Sequence, residues 1–471
     1  MFPKDFIWGA STSAYQIEGA RRADGAGECV WDSFCRKPGK VWGKQDAATA
    51  CDHYRRYRDD VALFASLGLQ AYHFSVSWPR VLPEGDGAVN ERGLDFYDRL
   101  VDALLEQGVT PWVTLFHWDY PFALYARGGW LNRECVHWFA HYAEVVVKRL
   151  SDRVQHFLTL GEPECFITAG HQKGGHAPGD THELREVLRM GANAFLAHGA
   201  AVSAMRAAAR QPIRIGVKVV GEPRVPYGGP GQAPSEADVR AARELTFRVD
   251  ARPDAVSTWF AALWMDPIYL GRYPSGALEG FGRAAPALSE RDLALMGQPL
   301  DFFALNTYKG SWARAGEEGP QDVPFPPGYP MSAYNWPVLP EALYWGCRFF
   351  HERYGLPIVV TENGLSTHDW VEEDGRVRDA HRIDFLRRSL RELHRAMEAG
   401  VPVAGYFHWS ALDNFEWEQG YRLRFGLIHV DFQTQRRTPK ESAYFYQRVI
   451  ETRGACLQVA TAPSERGSSD V

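Results

Sequence analysis

Phe6-Ile7-Trp8-Gly9-Ala10-Ser11-Thr12-Ser13-Ala14 carries an apolar run straight into a turn of small hydroxyl residues, and that turn decides how the rest of the chain is wound. After its first strand an open doubly wound sheet needs a glycine-rich turn that cradles phosphate, such as GxGxxG or GxxxxGK[ST]. The turn here is not of that kind, and neither pattern occurs elsewhere in the chain. Seven further β-rich runs follow, at 71–77, 111–116, 156–160, 213–219, 302–306, 357–360 and 403–407. Between them lie segments with helical spacing, at 52–67, 93–107, 135–150, 182–210, 341–354 and 383–399. In the second of these, Leu94, Tyr97, Leu100, Val101, Leu104 and Leu105 fall three and four residues apart, on one helix face. Gly68, Gly108, Gly355 and Gly400 suit the position just past a helix end. Alternating strands and helices predict parallel β/α winding. Polar residues gathered just past several strand ends favour the closed form, a single α/β (β/α)8 TIM barrel with its site at the C-terminal ends of the strands.

The length of 471 residues fits one such barrel with insertions. We read residues 1–455 as the barrel domain, with no internal repeat, and residues 456–471 as a disordered tail ending Ser468-Ser469-Asp470-Val471. A net charge of −6 with both signs scattered argues against nucleic acid or an anionic membrane as partner. Seven cysteines, widely spaced and without a CxxC pair, suit free thiols in a reducing compartment. No basic, apolar leader opens the chain and no run approaches a membrane span, so the expected location is cytoplasmic. Composition does not speak to oligomeric state.

Two glutamates stand just beyond predicted strands: Glu162 after Phe157-Leu158-Thr159-Leu160, and Glu362 after Ile358-Val359-Val360-Thr361. On a barrel these are strands four and seven, which converge on one mouth. Two carboxyls flanking an anomeric carbon are what hydrolysis of a glycosidic bond with retention requires.

The words around them are more specific. Phe2-Pro3-Lys4-Asp5-Phe6-Ile7-Trp8-Gly9 and the residues up to Gly19, Thr361-Glu362-Asn363-Gly364, Asp413-Asn414-Phe415-Glu416-Trp417 and Arg424-Phe425-Gly426-Leu427 resemble the signatures of glycoside hydrolase family 1, the β-glucosidase family. The resemblance runs from Phe2 to about Ile450. It implies a β-glycosidase that needs no cofactor and acts on a small-molecule β-glycoside or oligosaccharide. Glu162 would be the general acid/base and Glu362 the nucleophile. It further implies a glycone subsite of Gln16, His117, Asn306, Tyr308, Trp409, Glu416 and Trp417. A carboxylate at Glu416 would repel a phosphate, so unphosphorylated sugars are expected.

The chain departs from the family at one place. The family's Asn-Glu-Pro reads Gly161-Glu162-Pro163, its Tyr-Arg-Phe-Ser reads Tyr72-His73-Phe74-Ser75, and the Trp after Glu-Pro is Glu164. A donor to the sugar 2-hydroxyl and a cation beside the nucleophile are thereby lost. Three readings stand: a subsite enlarged for a sugar altered at its 2-position, an ordinary β-glucosidase with waters in the gaps, or a metal held by His73, Glu162 and Glu362. A catalytically impaired sugar-binding relative is the non-enzyme alternative. On the first reading, Gly161→Asn with His73→Arg is expected to raise kcat on simple glucosides.

Overall fold

The computed structural model describes residues 1–458. Eight parallel strands close into a barrel: β1 (Ile7–Ser11), β2 (Ala71–Ser75), β3 (Thr110–Phe116), β4 (His156–Gly161), β5 (Arg214–Val220), β6 (Phe303–Asn306), β7 (Ile358–Asn363) and β8 (Val403–Trp409). β1 closes the ring by pairing β8 on one side and β2 on the other, so no barrel strand has a free edge. All eight runs read from the sequence are barrel strands. Helices such as Cys135–Leu150, Leu184–Ala208, Glu341–Tyr354 and Ala380–Glu398 wrap the outside.

In a closed parallel sheet alternate side chains point inward, and the interior admits few of them. Ala71, Trp112, Leu158, Phe302, Ala304, Val359 and Phe407 fill the lower interior as one small apolar cluster, separate from the larger core between strands and helices. Trp112 lies at its centre, with ring centroids 5.1 Å from Phe407, 5.4 Å from Phe302 and 4.0 Å from the stacked His156. Above this plug the inward residues turn polar.

Additions sit around the barrel. Strands Arg224–Pro226, Ser311–Gly316 and Gly319–Val323 form a separate sheet, and Cys165–Gln172 is a π-helical segment directly after β4. Residues 456 and 457, expected in a disordered tail, are built into the fold: Ala455–Leu457 forms a 3-10 turn with Leu457 buried, and the Leu457 carbonyl accepts from Arg391 Nε at 2.6 Å. Residues 459–471 lie outside the described residues. Among the described residues no helix is long and apolar enough to cross a membrane.

Truncating the plug is costly because neighbours held by a closed ring cannot collapse into the hole. Trp112→Ala is expected to lower stability by about 3–5 kcal/mol, read as a fall in the thermal midpoint of unfolding.

Candidate active site

The C-terminal end of the barrel opens into a cavity of about 270 Å³. Of the residues singled out in the sequence, Glu162, Glu362, His117, Tyr308, Trp409, Glu416 and Trp417 line it. Phe425, from the Arg424–Leu427 signature, lines it as well; Trp118, Trp259, Trp336, His176 and Glu418 line it too, and no sequence signal marked them. Trp409 and Trp417 lie nearly parallel to the His117 ring, each with its centroid 5.9 Å away. Gln16 and Asn306 stand behind the wall. The Gln16 amide donates to Asn414 Oδ1 and to the Phe415 carbonyl, and its oxygen accepts from Ser13.

Glu162 follows β4 directly, in a left-handed backbone conformation, φ 56°. Its Oε1 accepts from Asn306 Nδ2 at 2.7 Å, and the Asn306 oxygen accepts from Thr361 Oγ1 at 2.7 Å, next to Glu362 in the chain. One amide thus couples the ends of three strands. Burial pushes the Glu162 carboxyl up, and the Glu362 charge pushes it further, to about 7, against the pull of Asn306 and Lys218.

Glu362 sits on β7, in register with Asn306 of β6. Tyr308 donates to its Oε2 at 2.6 Å. Lys218, fully buried on β5, reaches its Oε1 with an ammonium at 2.8 Å. The same ammonium lies 2.7 Å from His117 Nδ1. An ammonium can only donate, so His117 Nδ1 accepts and its Nε2–H is left as the donor. Burial and the Lys218 charge hold His117 well below the usual histidine range, in the neutral form this requires.

Lys218 explains Gly161. The two are register partners on β4 and β5. A Cβ on Gly161 would lie 3.1 Å from the Phe116 carbonyl oxygen, 3.2 Å from Lys218 Cε and 3.3 Å from His117 Nδ1. A Cβ at Gly161 would therefore press on the lysine stem and a backbone carbonyl, so Lys218 takes up part of the room that the glycine was expected to leave beside the sugar.

His73 proves to be a brace. Its Nε2 lies 2.7 Å from Thr114 Oγ1 and its Nδ1 2.9 Å from Ser11 Oγ, which donates to the Thr361 carbonyl at 2.7 Å. Since Ser11 spends its proton on that carbonyl, His73 donates from Nδ1 and accepts at Nε2. Burial, then the Lys218 charge, hold the ring neutral, far below the range in which it could replace an arginine. With both nitrogens engaged and Lys218 on Glu362, His73, Glu162 and Glu362 do not form a ligand set, which corrects the metal reading.

Glu416 presents an Oε2 with no partner among the described residues. Burial, then Glu418, Glu362 and Glu162, push its carboxyl well above the usual carboxylate range. A phosphate there would still face four carboxyl groups, and Lys218 is already spent on Glu362. A second cavity, of about 340 Å³, adjoins the first, sharing Val220, Glu222 and Trp259 with it. Glu164 lines this second space in place of the family's Trp.

Residues 1–455 match the profile of Glycosyl hydrolase family 1. The chain is 41% identical over 455 residues to Beta-glucosidase A of Thermotoga maritima, covering 96% of this chain and 98% of that one. It is 40% identical to Beta-glucosidase A of Acetivibrio thermocellus, covering 96% and 99%. The solved Thermotoga maritima β-glucosidase in complex with glucoimidazole superposes with a TM-score of 0.86 at 40% identity, over 96% of this chain and 99% of that one. The chain belongs to glycosyl hydrolase family 1 and is a glycoside hydrolase.

Proposed function

We propose that this enzyme is a retaining, exo-acting β-glycosidase of the β-glucosidase type, working on unphosphorylated β-glycosides. The observation that carries the reading is one cavity with two carboxyls in unlike surroundings. Glu362 accepts from an ammonium at 2.8 Å and a phenol at 2.6 Å, while Glu162 faces a neutral amide and is held protonated up to about pH 7. In the first step a Glu362 oxygen attacks the anomeric carbon. The bond to the leaving oxygen breaks with its electron pair, and that oxygen takes the Glu162 proton. In the second step Glu162 takes a proton from water, whose oxygen displaces Glu362 and frees the sugar. The apolar floor under the ring would be Trp409, with His117, Glu416 and Trp417 facing its hydroxyls. Relatives named β-glucosidase and a similar structure holding glucoimidazole support the substrate class. Seven unpaired cysteines support a reducing, cytoplasmic setting.

The glycone subsite, on this reading, is altered at Gly161 and His73 by relocation of charge. Lys218 on β5 stands in for the arginine that His73 replaces, and Gly161 is the clearance the lysine needs. A lysine is a point donor where an arginine is a fork, so the carboxylate keeps its counter-charge and loses a second directed bond.

Three measurements test this. Glu362→Ala should be inactive and rescued by azide to the α-glycosyl azide, whereas Glu162→Ala should yield the β-azide from activated aryl glycosides. If azide gave one anomer with both variants, the division of roles would be wrong. The proton-donor form of Glu162 is lost as pH rises, so kcat/KM should fall through about pH 7. Asn306→Ala removes a bond that favours the charged carboxyl, and the falling limb should shift to higher pH; a shift downward would contradict the assignment. Lys218→Met should lower kcat/KM, because the Glu362 carboxyl loses the cation that touches it. Gly161→Asn should lower activity while Lys218 is present, and His73→Arg should improve turnover only in the Lys218→Met background. A gain for Gly161→Asn with His73→Arg in the parent would restore the enlarged-subsite reading.

A further inference from the structure

Below the cavity wall, outside the residues used above, lies a cluster that the reaction does not employ. His171 closes the π-helical segment after β4, and Asp180 and His182 follow one loop later. Asp180 Oδ2 is 3.6 Å from His171 Nδ1 and 3.6 Å from His182 Nε2. Both separations are too long for hydrogen bonds, which draw such atoms to about 2.7–3.2 Å. Atoms bound to one tetrahedral metal at about 2.0–2.2 Å stand roughly 3.4 Å apart, which is the spacing approached here.

The groups around the trio are those of a ligand site. His171 is only 5% exposed, and its Nδ1 has no hydrogen-bond partner among the described residues. The other nitrogen of His182, Nδ1, is 3.0 Å from Glu186 Oε2 on the next helix, the carboxylate contact that fixes the ring of a ligating histidine. Tyr125 donates to both Asp180 oxygens, at 3.1 Å each.

We propose that His171, Asp180 and His182 bind a divalent transition metal of the zinc class, with water completing the tetrahedron. Two imidazoles and one carboxylate suit zinc and disfavour calcium or magnesium, which take oxygen ligands. The metal staples both ends of the 172–181 loop, where the Asp180 N–H already donates to the Gly170 carbonyl and the His182 N–H to that of His171. The same loop carries His176, which lines the active-site cavity and reaches Glu418 Oε2 at 3.0 Å. The staple thus sets one wall of the cavity from a distance and takes no part in bond breaking.

The test uses the full chain, stripped with a chelator and titrated with Zn(II) alone by calorimetry, and separately with Co(II) by visible absorption. The expected result is one equivalent that is lost in Asp180→Asn and in His171→Asn with His182→Asn. Co(II) should give the intense d–d bands of a four-coordinate site. Hydrogen exchange at residues 171–182 should slow when zinc is added. No binding, binding unchanged in the variants, or weak octahedral Co(II) bands in the unmutated chain would each overturn the proposal. The cobalt spectrum decides the matter even if a variant fails to fold.

Discussion

Closing eight parallel strands into a ring forces alternate residues of every strand into a space too narrow for free choice, and the rest of the molecule follows from how that space is filled. The lower layer is apolar and carries no charge, which lets it seal the barrel around Trp112. The next layer must be polar, because it supports a site open to water and sugar, yet it is as dry as the layer below. Every polar atom there needs a partner inside the protein. Ser11, His73, Thr114 and the Thr361 carbonyl satisfy one another in a chain across β1, β2, β3 and β7. Asn306 does the same for Glu162 and Thr361.

The strands were legible because they are short runs rich in apolar residues, set between longer segments with helical spacing. Their ends were less so. β4, β7 and β8 extend to Gly161, Asn363 and Trp409, beyond the predicted ends at 160, 360 and 407. Apart from Gly161 the extra residues are polar or aromatic and were read as loop, and two of them, Glu362 and Trp409, line the cavity. Both glutamates were legible from the words around them, since the motif fixes their order along the chain. The residues near Trp259 and Trp336 were not, because their walls are built by loops whose course depends on packing far away in sequence.

Lys218 is the instructive omission. In Ile213-Arg214-Ile215-Gly216-Val217-Lys218-Val219 the alternation is visible: Ile215, Val217 and Val219 face the helices, while Gly216 and Lys218 face the barrel axis. A lysine on the inner face of a barrel strand is a buried cation needing an anion within reach. Reading the loss of arginine at His73 and of asparagine at Gly161 as empty volume left that cation unaccounted for. The barrel joins the three positions because β4 and β5 are neighbours and β2 lies two strands away.

Glu162 and Glu362 are chemically identical side chains, and only their surroundings can make them differ. Five carboxyl groups, from Glu162, Glu222, Glu362, Glu416 and Glu418, line the one cavity, and repulsion opposes their all ionising together in so dry a space. Glu418 has the His176 contact to support its charge. Glu362 has Lys218 and Tyr308. Glu162 has a neutral amide, and Glu416 has an oxygen with no partner. Burial raises the carboxyls of Glu162 and Glu416 first, and the neighbouring charges add to it, whereas the Lys218 ammonium is placed on Glu362. Surroundings alone thus distinguish side chains of the same chemistry.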